Sequence, residues 1–341
     1  MKRLCLVFCT ASICIWLPSC GSDLEQLTQK RLKVITANIY HDCSSQSCGG
    51  DNNVPAWTVR RDILVNTITS LDPDVIGLQE AYMDQVEWLV DQLPGYAYYG
   101  RGRNADGSGE SVTILYRSDA FDRTDGGHFW YSDSKFTPGS KWSSITGDPR
   151  MTTWVRLERK DSGTGFYVFN NHWPPGSGAG ELVRFEVARL LARSIIEQRN
   201  VHEFFLIVGD LNATSGEPSY RYLAGEACPF KATEDPVRFG QYCNPWSTFP
   251  PPFELVDAWQ QHGLTGGTRC GNTTSGSPDG NTGARLDYVL VWKPGGDYPI
   301  IETVQRAQVG ATCLSDHWAV YASMLLPLHS GTANNIAGPG R

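Results

Sequence analysis

Apolar residues run together or alternate in short stretches along most of the chain, which is the pattern of a strand-rich protein. The clearest stretch is the five-residue apolar run 204–208, typical of a buried strand, which ends at Gly209 and is followed by Asp210 and Asn212. If the chain stays extended, period-2 alternation places Asp210 and Asn212 on the same side. An Asx turn that closes the strand is the competing interpretation, because Asp and Asn favour turns.

The same patterns predict the remaining elements. Strands are predicted at 32–38, 74–80, 111–117, 152–158, 165–172, 285–292 and 317–326. Apolar residues at helical spacing predict helices over 58–71, 83–93 and 181–199, with a short helix after Pro218. A long loop rich in Trp, Gly and Pro is expected between 117 and 152, and the arginines of the 181–199 helix are expected on a solvated face.

Helices and strands are interspersed, and several neighbouring strands have no helix between them. This order favours an α/β (α+β) fold in which mixed sheets are layered against helices, rather than a purely parallel sheet. No short-period repeat or biased linker divides the chain, and 341 residues with 40% hydrophobic content are enough for one large core. We therefore expect a single domain over residues 24–328.

The N-terminal segment 1–20 has the pattern of an export signal. Lys2 and Arg3 precede an apolar segment, 4–17, that is too short to span a bilayer. Its end resembles a bacterial lipobox, in which Cys20 is acylated and attaches the protein to a membrane, and ordinary cleavage after Gly21 is the alternative. The protein is therefore expected to be secreted, periplasmic or lipid-anchored, and the Gly/Asn-rich tail 329–341 is expected to be disordered.

The cysteine content supports export. An even set of cysteines remains beyond the signal segment, and in an exported chain this indicates disulfides. Proximity along the chain favours the pairs Cys43–Cys48 and Cys228–Cys243 and leaves Cys270–Cys313, with other pairings open. A zinc site is disfavoured, because no pair of cysteines has C-x-x-C spacing.

Five predicted strand ends carry polar side chains of the kind that bind metal ions or phosphate. They are Asn38, Glu80, His172, Asp210 with Asn212, and Asp316 with His317. One such end is ordinary, but five indicate that one rim of a sheet sandwich forms a site. Carboxylate and amide oxygens suit a hard cation such as Mg²⁺, with Glu80 as the natural ligand, and the two histidines suit proton transfer near neutral pH.

These strand ends carry motifs that resemble the endonuclease/exonuclease/phosphatase superfamily. That superfamily includes pancreatic-type deoxyribonuclease, exonuclease III, poly(A) deadenylases, neutral sphingomyelinases and inositol phosphate phosphatases. The motifs occur in the family's order and span nearly all of the mature chain: Ala37-Asn38, Leu78-Gln79-Glu80, Asn171-His172-Trp173, Gly209-Asp210-Leu211-Asn212, Arg285-Leu286-Asp287-Tyr288 and Ser315-Asp316-His317.

The resemblance implies a DNase I-like four-layer sandwich of two mixed β-sheets flanked by helices. It also implies attack of water on a phosphate ester with the help of Mg²⁺ or Mn²⁺. The implied metal ligands are Asn38, Glu80 and Asp316, and the implied catalytic residues are His172, Asp210, Asn212, Asp287 and His317, with Asp287 orienting His317. Arg101 and Arg150 are candidate phosphate contacts or surface ion pairs, and Trp173 either stacks on a base or sugar or covers the core.

Two other classes of protein are disfavoured. A serine hydrolase needs a nucleophile elbow, and no G-x-S-x-G motif occurs. A non-catalytic binding module on the same fold has little support, because every acid, amide and histidine of the motif set is present.

The expected substrate is a phosphodiester, above all nucleic acid. The sequence around Asp210 resembles the deadenylase and bacterial exported branches, and five basic residues are expected to border the site: Arg101, Arg103, Lys135, Lys141 and Arg150. A net charge of −7 opposes a nucleic-acid binder held by charge alone, but not a nuclease with a local basic rim and a metal. Sphingomyelin-type lipids and sugar or inositol phosphates are the alternative substrates, and a monomer is expected.

Overall fold

The computed structural model describes residues 29–42, 54–198, 203–226, 229–230, 237, 241, 253, 255–268, 284–292, 300–307 and 315–327, together with the short strands 4–6 and 16–18. All six cysteines of the predicted disulfides and the tail 329–341 lie outside the described residues. None of the helices in the described part of the chain is both long enough and apolar enough to cross a membrane.

Strands outnumber helices in the described part of the chain. The strands are β1 (Leu4–Leu6), β2 (Trp16–Pro18), β3 (Gln29–Asn38), β4 (Val75–Ala81), β5 (Tyr96–Tyr99), β6 (Ser111–Arg117), β7 (Phe121–Trp130), β8 (Met151–Arg159), β9 (Gly165–His172), β10 (Phe205–Asp210), β11 (Val256–Asp257), β12 (Asp287–Trp292), β13 (Ile300–Ala307) and β14 (Ala319–Pro327). The helices are α1 (Trp57–Leu71), α2 (Met83–Gln92), α3 (Ala179–Gln198), α4 (Pro218–Leu223) and α5 (Ala258–Gln261).

The strands form two six-stranded sheets, and β1 and β2 pair with each other separately. The first sheet has the order β13-β14-β3-β4-β6-β5 and the second the order β11-β12-β10-β9-β8-β7. Within each sheet one central pair is parallel, β3 with β4 and β9 with β10, and the other pairs are antiparallel. Both sheets are therefore mixed, as the sequence predicted.

The two sheets pack face to face, and helices cover their outer faces. Successive residues of one strand belong to different cores: Val34 and Leu206 lie in the cluster between the sheets. Their neighbours Ile35 and Ile207 face the helices, Ile35 with α1 and α2 and Ile207 with α3 and α4. Burial on both faces explains why the central strands read as continuous apolar runs. The predicted four-layer sandwich is confirmed.

The strands that the sequence did not reveal are edge strands. β7 occupies most of the first half of the predicted 117–152 loop, and β5, β7 and β13 each stand at the end of a sheet. The middle of β7 is polar and exposed and contains Gly126 and Gly127. An edge strand pairs on one side only and can stay polar, so it lacks the apolar pattern by which inner strands are recognised.

Helix α3 does not present all its arginines to solvent, which corrects the expected solvated face. The Arg184 side chain is only 2% exposed. It donates two hydrogen bonds to Glu217, at 3.0 and 2.6 Å, and two more to the carbonyl oxygens of Pro174 and Gly176. Because Pro174 and Gly176 follow β9 and Glu217 follows β10, Arg184 joins the loops that leave the two parallel strands.

We predict that Arg184→Ala lowers the free energy of unfolding by about 3 kcal/mol, because it leaves the Glu217 carboxylate partly buried without its cation. The matched control is Arg193→Ala, on an exposed arginine of the same helix, which should change it by no more than about 0.5 kcal/mol. Denaturant unfolding of both variants measures the difference. Equal, small effects would show that the Arg184 contacts are not structural.

Candidate active site

The ends of β3, β4, β9, β10 and β12 bring the predicted polar residues together at one rim of the sandwich. In the second sheet, Asp210 is paired in register with His172 on one side and Asp287 on the other. In the first sheet, the end of β3 lies beside β4, and Asn38 donates from Nδ2 to Glu80 Oε1 at 2.9 Å and to Asp210 Oδ2 at 3.2 Å. Asn38 therefore links carboxylates from the two sheets.

A break in strand pairing directs Glu80 into this site. The pairing of β4 with β6 shifts between Gln79 and Ala81, and Glu80 itself has φ of 61°. A left-handed backbone is unfavourable for a residue with a β-carbon and is found mostly at functional positions. Burial raises the pKa of Glu80, but its contacts with His41, His172 and Asn38 outweigh this and hold the pKa well below its usual value. Glu80 is therefore an anion.

Gly209 permits the close approach of β9 and β10. Its φ is 133°, a conformation that side chains disfavour, and an added β-carbon would meet the backbone of Asn171. The glycine that ends the apolar run is thus required to place Asp210 beside His172.

A neutral His172 accepts a hydrogen bond from the charged Arg150. Arg150 Nη1 lies 2.5 Å from His172 Nε2. An arginine only donates, so Nε2 accepts and the ring proton is assigned to Nδ1, which lies 4.0 Å from Glu110 Oε2. Burial and the charge of Arg150 lower the pKa of His172 well below its ordinary value. The pair can present donors to an anion, so of the two predicted arginine contacts Arg150 lies in the site.

Asp287 and His317 form a second pair, on the other side of Asp210. His317 Nδ1 lies 2.8 Å from Asp287 Oδ2, and its Nε2 lies 3.8 Å from Asp210 Oδ2. Burial lowers the pKa of His317, but the charges of Asp287 and Asp210 raise it to about 10. Burial raises the pKa of Asp210 to about 6. The two carboxylates therefore favour the imidazolium form of His317, and Asp287 holds the ring in one orientation.

The residues present fit a divalent cation. Among the described residues, two groups bring three donor atoms within 4.8 Å of one another: His41, Glu80 and Glu110, and Asp210, Asp287 and His317. Burial and the neighbouring Glu80 raise the pKa of Glu110, which shows how closely these acids are crowded. The buried atom Asp287 Oδ1 accepts no hydrogen bond from the described residues. A set of crowded carboxylates is the usual protein environment of a hard cation.

Asp316 stands beside these groups rather than in them. It is buried and accepts a hydrogen bond from Ser315 Oγ at 3.2 Å. Its negative charge contributes to the raised pKa values of Tyr40 and His317.

The turn after β10 corrects the prediction that Asp210 and Asn212 share one side of an extended strand. β10 ends at Asp210, and Asn212 has φ of 47°. The Asn212 backbone donates to Asp210 Oδ1 at 2.8 Å, so the Asx-turn interpretation is confirmed. The amide side chain of Asn212 donates to the carbonyl of Trp173 at 2.9 Å. The turn uses one Asp210 oxygen and leaves the other facing Asn38 and His317.

Two predicted substrate contacts point elsewhere. Arg101 donates to the carbonyl oxygens of its own loop, at Ala105 among others, and lies over the Trp130 ring at 5.4 Å. Trp173 has no exposed surface and belongs to the core cluster beneath α3. A ring without exposed surface cannot stack on a ligand, so of the two roles considered for Trp173 the structure favours the core.

The R-x-D-Y motif supports the site from outside. Arg285 binds Asp257 with two hydrogen bonds, at 2.9 and 2.6 Å, and lies 4.2 Å from the centre of the Tyr288 ring. The Tyr288 hydroxyl donates to the carbonyl of Ala213 at 2.8 Å. Arg285 and Tyr288 therefore fix the start of β12 and the turn after β10, and only Asp287 of this motif enters the site.

Sequence reasoning missed Glu110 and His41, and it expected Arg103 on a basic rim rather than as the partner of Glu110. Glu110 closes the glycine-rich segment directly before β6, and Arg103 Nη1 donates to its Oε2 at 2.7 Å. His41 lies three residues after Asn38, with Nδ1 3.8 Å from a carboxylate oxygen of each of Glu80 and Glu110. The available signal was position alone, because Glu110 precedes and His41 follows a predicted strand.

Known proteins share this fold. The model of the Endonuclease/Exonuclease/phosphatase family matches residues 35–317. A protein of that family from Bacteroides thetaiotaomicron has a TM-score of 0.65 at 24% identity, with 88% of this chain and 99% of that chain covered. The mannosyl-6-phosphatase Bt3783 of Bacteroides thetaiotaomicron VPI-5482 has a TM-score of 0.62 at 25% identity, with 86% and 99% covered.

Among curated proteins, protein L388 of Acanthamoeba polyphaga mimivirus is 25% identical over 153 residues, which are 42% of this chain. The chain spans about half the length of that relative, 54% of it. The family match, by contrast, begins in β3 and ends at His317, and so includes every strand end that contributes to the site. With the sandwich and the convergent strand ends, it establishes that this chain belongs to the Endonuclease/Exonuclease/phosphatase family.

Proposed function

We propose that this protein hydrolyses a phosphate ester with the help of a divalent cation, Mg²⁺ or Mn²⁺, and that its substrate is small. One observation carries the proposal: Asn38 joins the carboxylates of Glu80 and Asp210, and Arg150 and His172 lie together beside the same two carboxylates. Acids that hold a cation beside donors that hold an anion are what hydrolysis of a phosphate ester requires.

Each side chain has a task in this proposal. Glu80, Asn38 and Asp316 would hold the cation, which supplies positive charge for the phosphoryl oxygens when it is bound. Asp210, with its pKa near 6, accepts a proton from the attacking water. Three residues act on the phosphate: Arg150 and His172 donate to its oxygens, and His317, oriented by Asp287, does so from Nε2.

The proposal of a small substrate departs from the nucleic acid expected from the sequence, and the partners of the basic residues support it. Arg103 is buried between Glu110 and Asp148, and Lys135 pairs with Glu197. Lys141 donates to the carbonyl of Gly147, and Arg101 to its own loop. Of the five residues expected to form a basic rim, only Arg150 lies in the site.

With a net charge of −7, the protein has little to attract a polyanion over a distance. A single phosphate group needs only the local contacts of Arg150, His172 and His317. The likeness to a mannosyl-6-phosphatase, at 25% identity, agrees with a phosphorylated sugar as the substrate class. Export through the 1–20 segment is part of the same proposal.

A substrate panel tests the substrate class. We expect release of phosphate from sugar phosphates in the presence of Mg²⁺ or Mn²⁺, abolished by chelation, and little cleavage of DNA, RNA or sphingomyelin. Each substrate is assayed at low and high salt, because binding of a polyanion is salt-sensitive and binding of one phosphate is much less so. Efficient cleavage of nucleic acid without cleavage of sugar phosphates would contradict the small-substrate proposal and support a nuclease.

We predict that Glu80→Gln lowers kcat/KM by about two orders of magnitude or more, because the amide keeps the shape but lacks the charge that holds the cation. The melting temperature of the metal-free protein should change little, because the substitution also relieves repulsion with Glu110. The control is Glu87→Gln, on an exposed glutamate of α2. Wild-type turnover of Glu80→Gln at ordinary Mg²⁺ concentration would contradict the assignment.

We predict that Asp287 and His317 act as one unit. The 2.8 Å contact lets Asp287 orient the His317 ring, so the double variant should resemble His317→Ala alone. The measurement is kcat/KM of Asp287→Asn, His317→Ala and the double variant, with an expected coupling of about 1–3 kcal/mol. Losses that simply multiply would show that the two residues act independently.

A further inference from the structure

Three of the residues at the rim form a cluster that combines nitrogen and oxygen donors. His41 follows β3, Glu80 lies in β4, and Glu110 precedes β6, so the cluster belongs to the first sheet. His41 Nδ1 lies 3.8 Å from Glu80 Oε2 and 3.8 Å from Glu110 Oε1. The three donor atoms lie within 4.8 Å of one another.

We propose that His41, Glu80 and Glu110 form a metal site that binds first-row transition ions such as Co²⁺ and Zn²⁺ more tightly than Mg²⁺. This rests on the proposed function in so far as Glu80 is also the proposed ligand of the catalytic cation. It goes further, because it adds two ligands and assigns the site a preference among metals.

The separations suit a single ion. Bonds from such ions to imidazole nitrogen and carboxylate oxygen are about 2.0–2.2 Å, so neighbouring donors of one tetrahedral ion stand about 3.3–3.6 Å apart. Both His41 separations, 3.8 Å, lie just above that range. The separation between the two carboxylates, at most 4.8 Å, enters the range after rotation of one side chain.

The neighbouring residues orient each carboxylate toward His41. Glu80 Oε1 accepts from Asn38, which leaves Oε2 as the oxygen nearest to His41. Glu110 Oε2 accepts from Arg103, which leaves Oε1 facing His41. Hydrogen bonds that hold one oxygen and leave the other for the ion are characteristic of metal ligands.

Aromatic contacts fix the imidazole ring. The ring of His41 stacks on Tyr40 with centroids 4.8 Å apart, and it contacts Tyr82 at 5.5 Å. The ring therefore keeps Nδ1 directed at the two carboxylates without needing an ion. A donor set held in place beforehand binds metal with a smaller loss of side-chain entropy.

The imidazole nitrogen of His41 determines the preference for transition ions over Mg²⁺. Mg²⁺ takes oxygen ligands and gives up its water reluctantly, whereas imidazole suits transition ions from iron to zinc. One imidazole and two carboxylates on one side leave the remaining positions of the ion open to water or a phosphate oxygen. A site with oxygen ligands alone, such as Asn38, Glu80 and Asp316, should prefer transition ions to Mg²⁺ less strongly.

Binding measurements test the site without reference to activity. Co²⁺ is followed by its visible absorption, and Zn²⁺ and Mg²⁺ by calorimetry, on wild-type protein, His41→Ala and His41→Gln. The control is His262→Ala, which removes an exposed histidine outside the site. We expect His41→Ala and His41→Gln to weaken Co²⁺ and Zn²⁺ binding by about 10-fold or more, with Mg²⁺ affinity within about threefold. His262→Ala should leave all three affinities unchanged.

Unchanged Co²⁺ and Zn²⁺ affinity in both His41 variants, or a parallel loss of Mg²⁺ affinity, would overturn the inference. His41→Gln keeps a side chain of similar size beside Tyr40, so it serves if the alanine variant does not fold. The outcome is separate from that of the proposed function: hydrolysis that depends on Glu80 can persist when His41 proves irrelevant to metal binding. Conversely, Co²⁺ binding that depends on His41, in a protein that hydrolyses no phosphate ester, would support this metal site and refute the proposed hydrolase function.

Discussion

The site depends on one amide that holds together two carboxylates of opposite sheets. Asn38 donates from the same nitrogen to Glu80 and to Asp210, at 2.9 and 3.2 Å. This donor offsets part of the repulsion between the two acids, which lie close together at the rim of the sandwich. An amide neutralises no charge, so it keeps both acids ionisable and near each other, which is the condition for binding a cation.

The concentration of charge is tolerated because each acid has a defined partner. Glu80 has His41 and Asn38, Glu110 has Arg103, and Asp287 has His317. Asp210 accepts from Asn38 and from the backbone of Asn212, but burial dominates its environment and raises its pKa to about 6. The acid with the least compensated burial is thus the one whose proton affinity is suited to base catalysis near neutral pH.

Two buried ion pairs outside the site keep its loops in position. Arg184 joins the segments that follow β9 and β10, and Arg285 with Asp257 holds the start of β12. Each arginine uses a planar fork of donors to bind a carboxylate together with carbonyl oxygens or an aromatic ring. Neither touches the rim, so their contribution to the site is positional, and the sequence did not reveal the partner of either.

The sequence by itself determined the inner strands, the layering and most of the rim. Strands buried on both faces must be continuously apolar, and the polar residues at their ends stand out against that background, as Glu80 and Asp210 do. Edge strands such as β7 were not predicted, because a strand that pairs on one side only can be polar. Only the tertiary structure decided which basic side chains form ion pairs. It also decided that Trp173 is buried and that His41 and Glu110 lie beside Glu80. These features depend on contacts between residues far apart in the chain, and the type of a residue does not determine which residue it will contact in the folded protein.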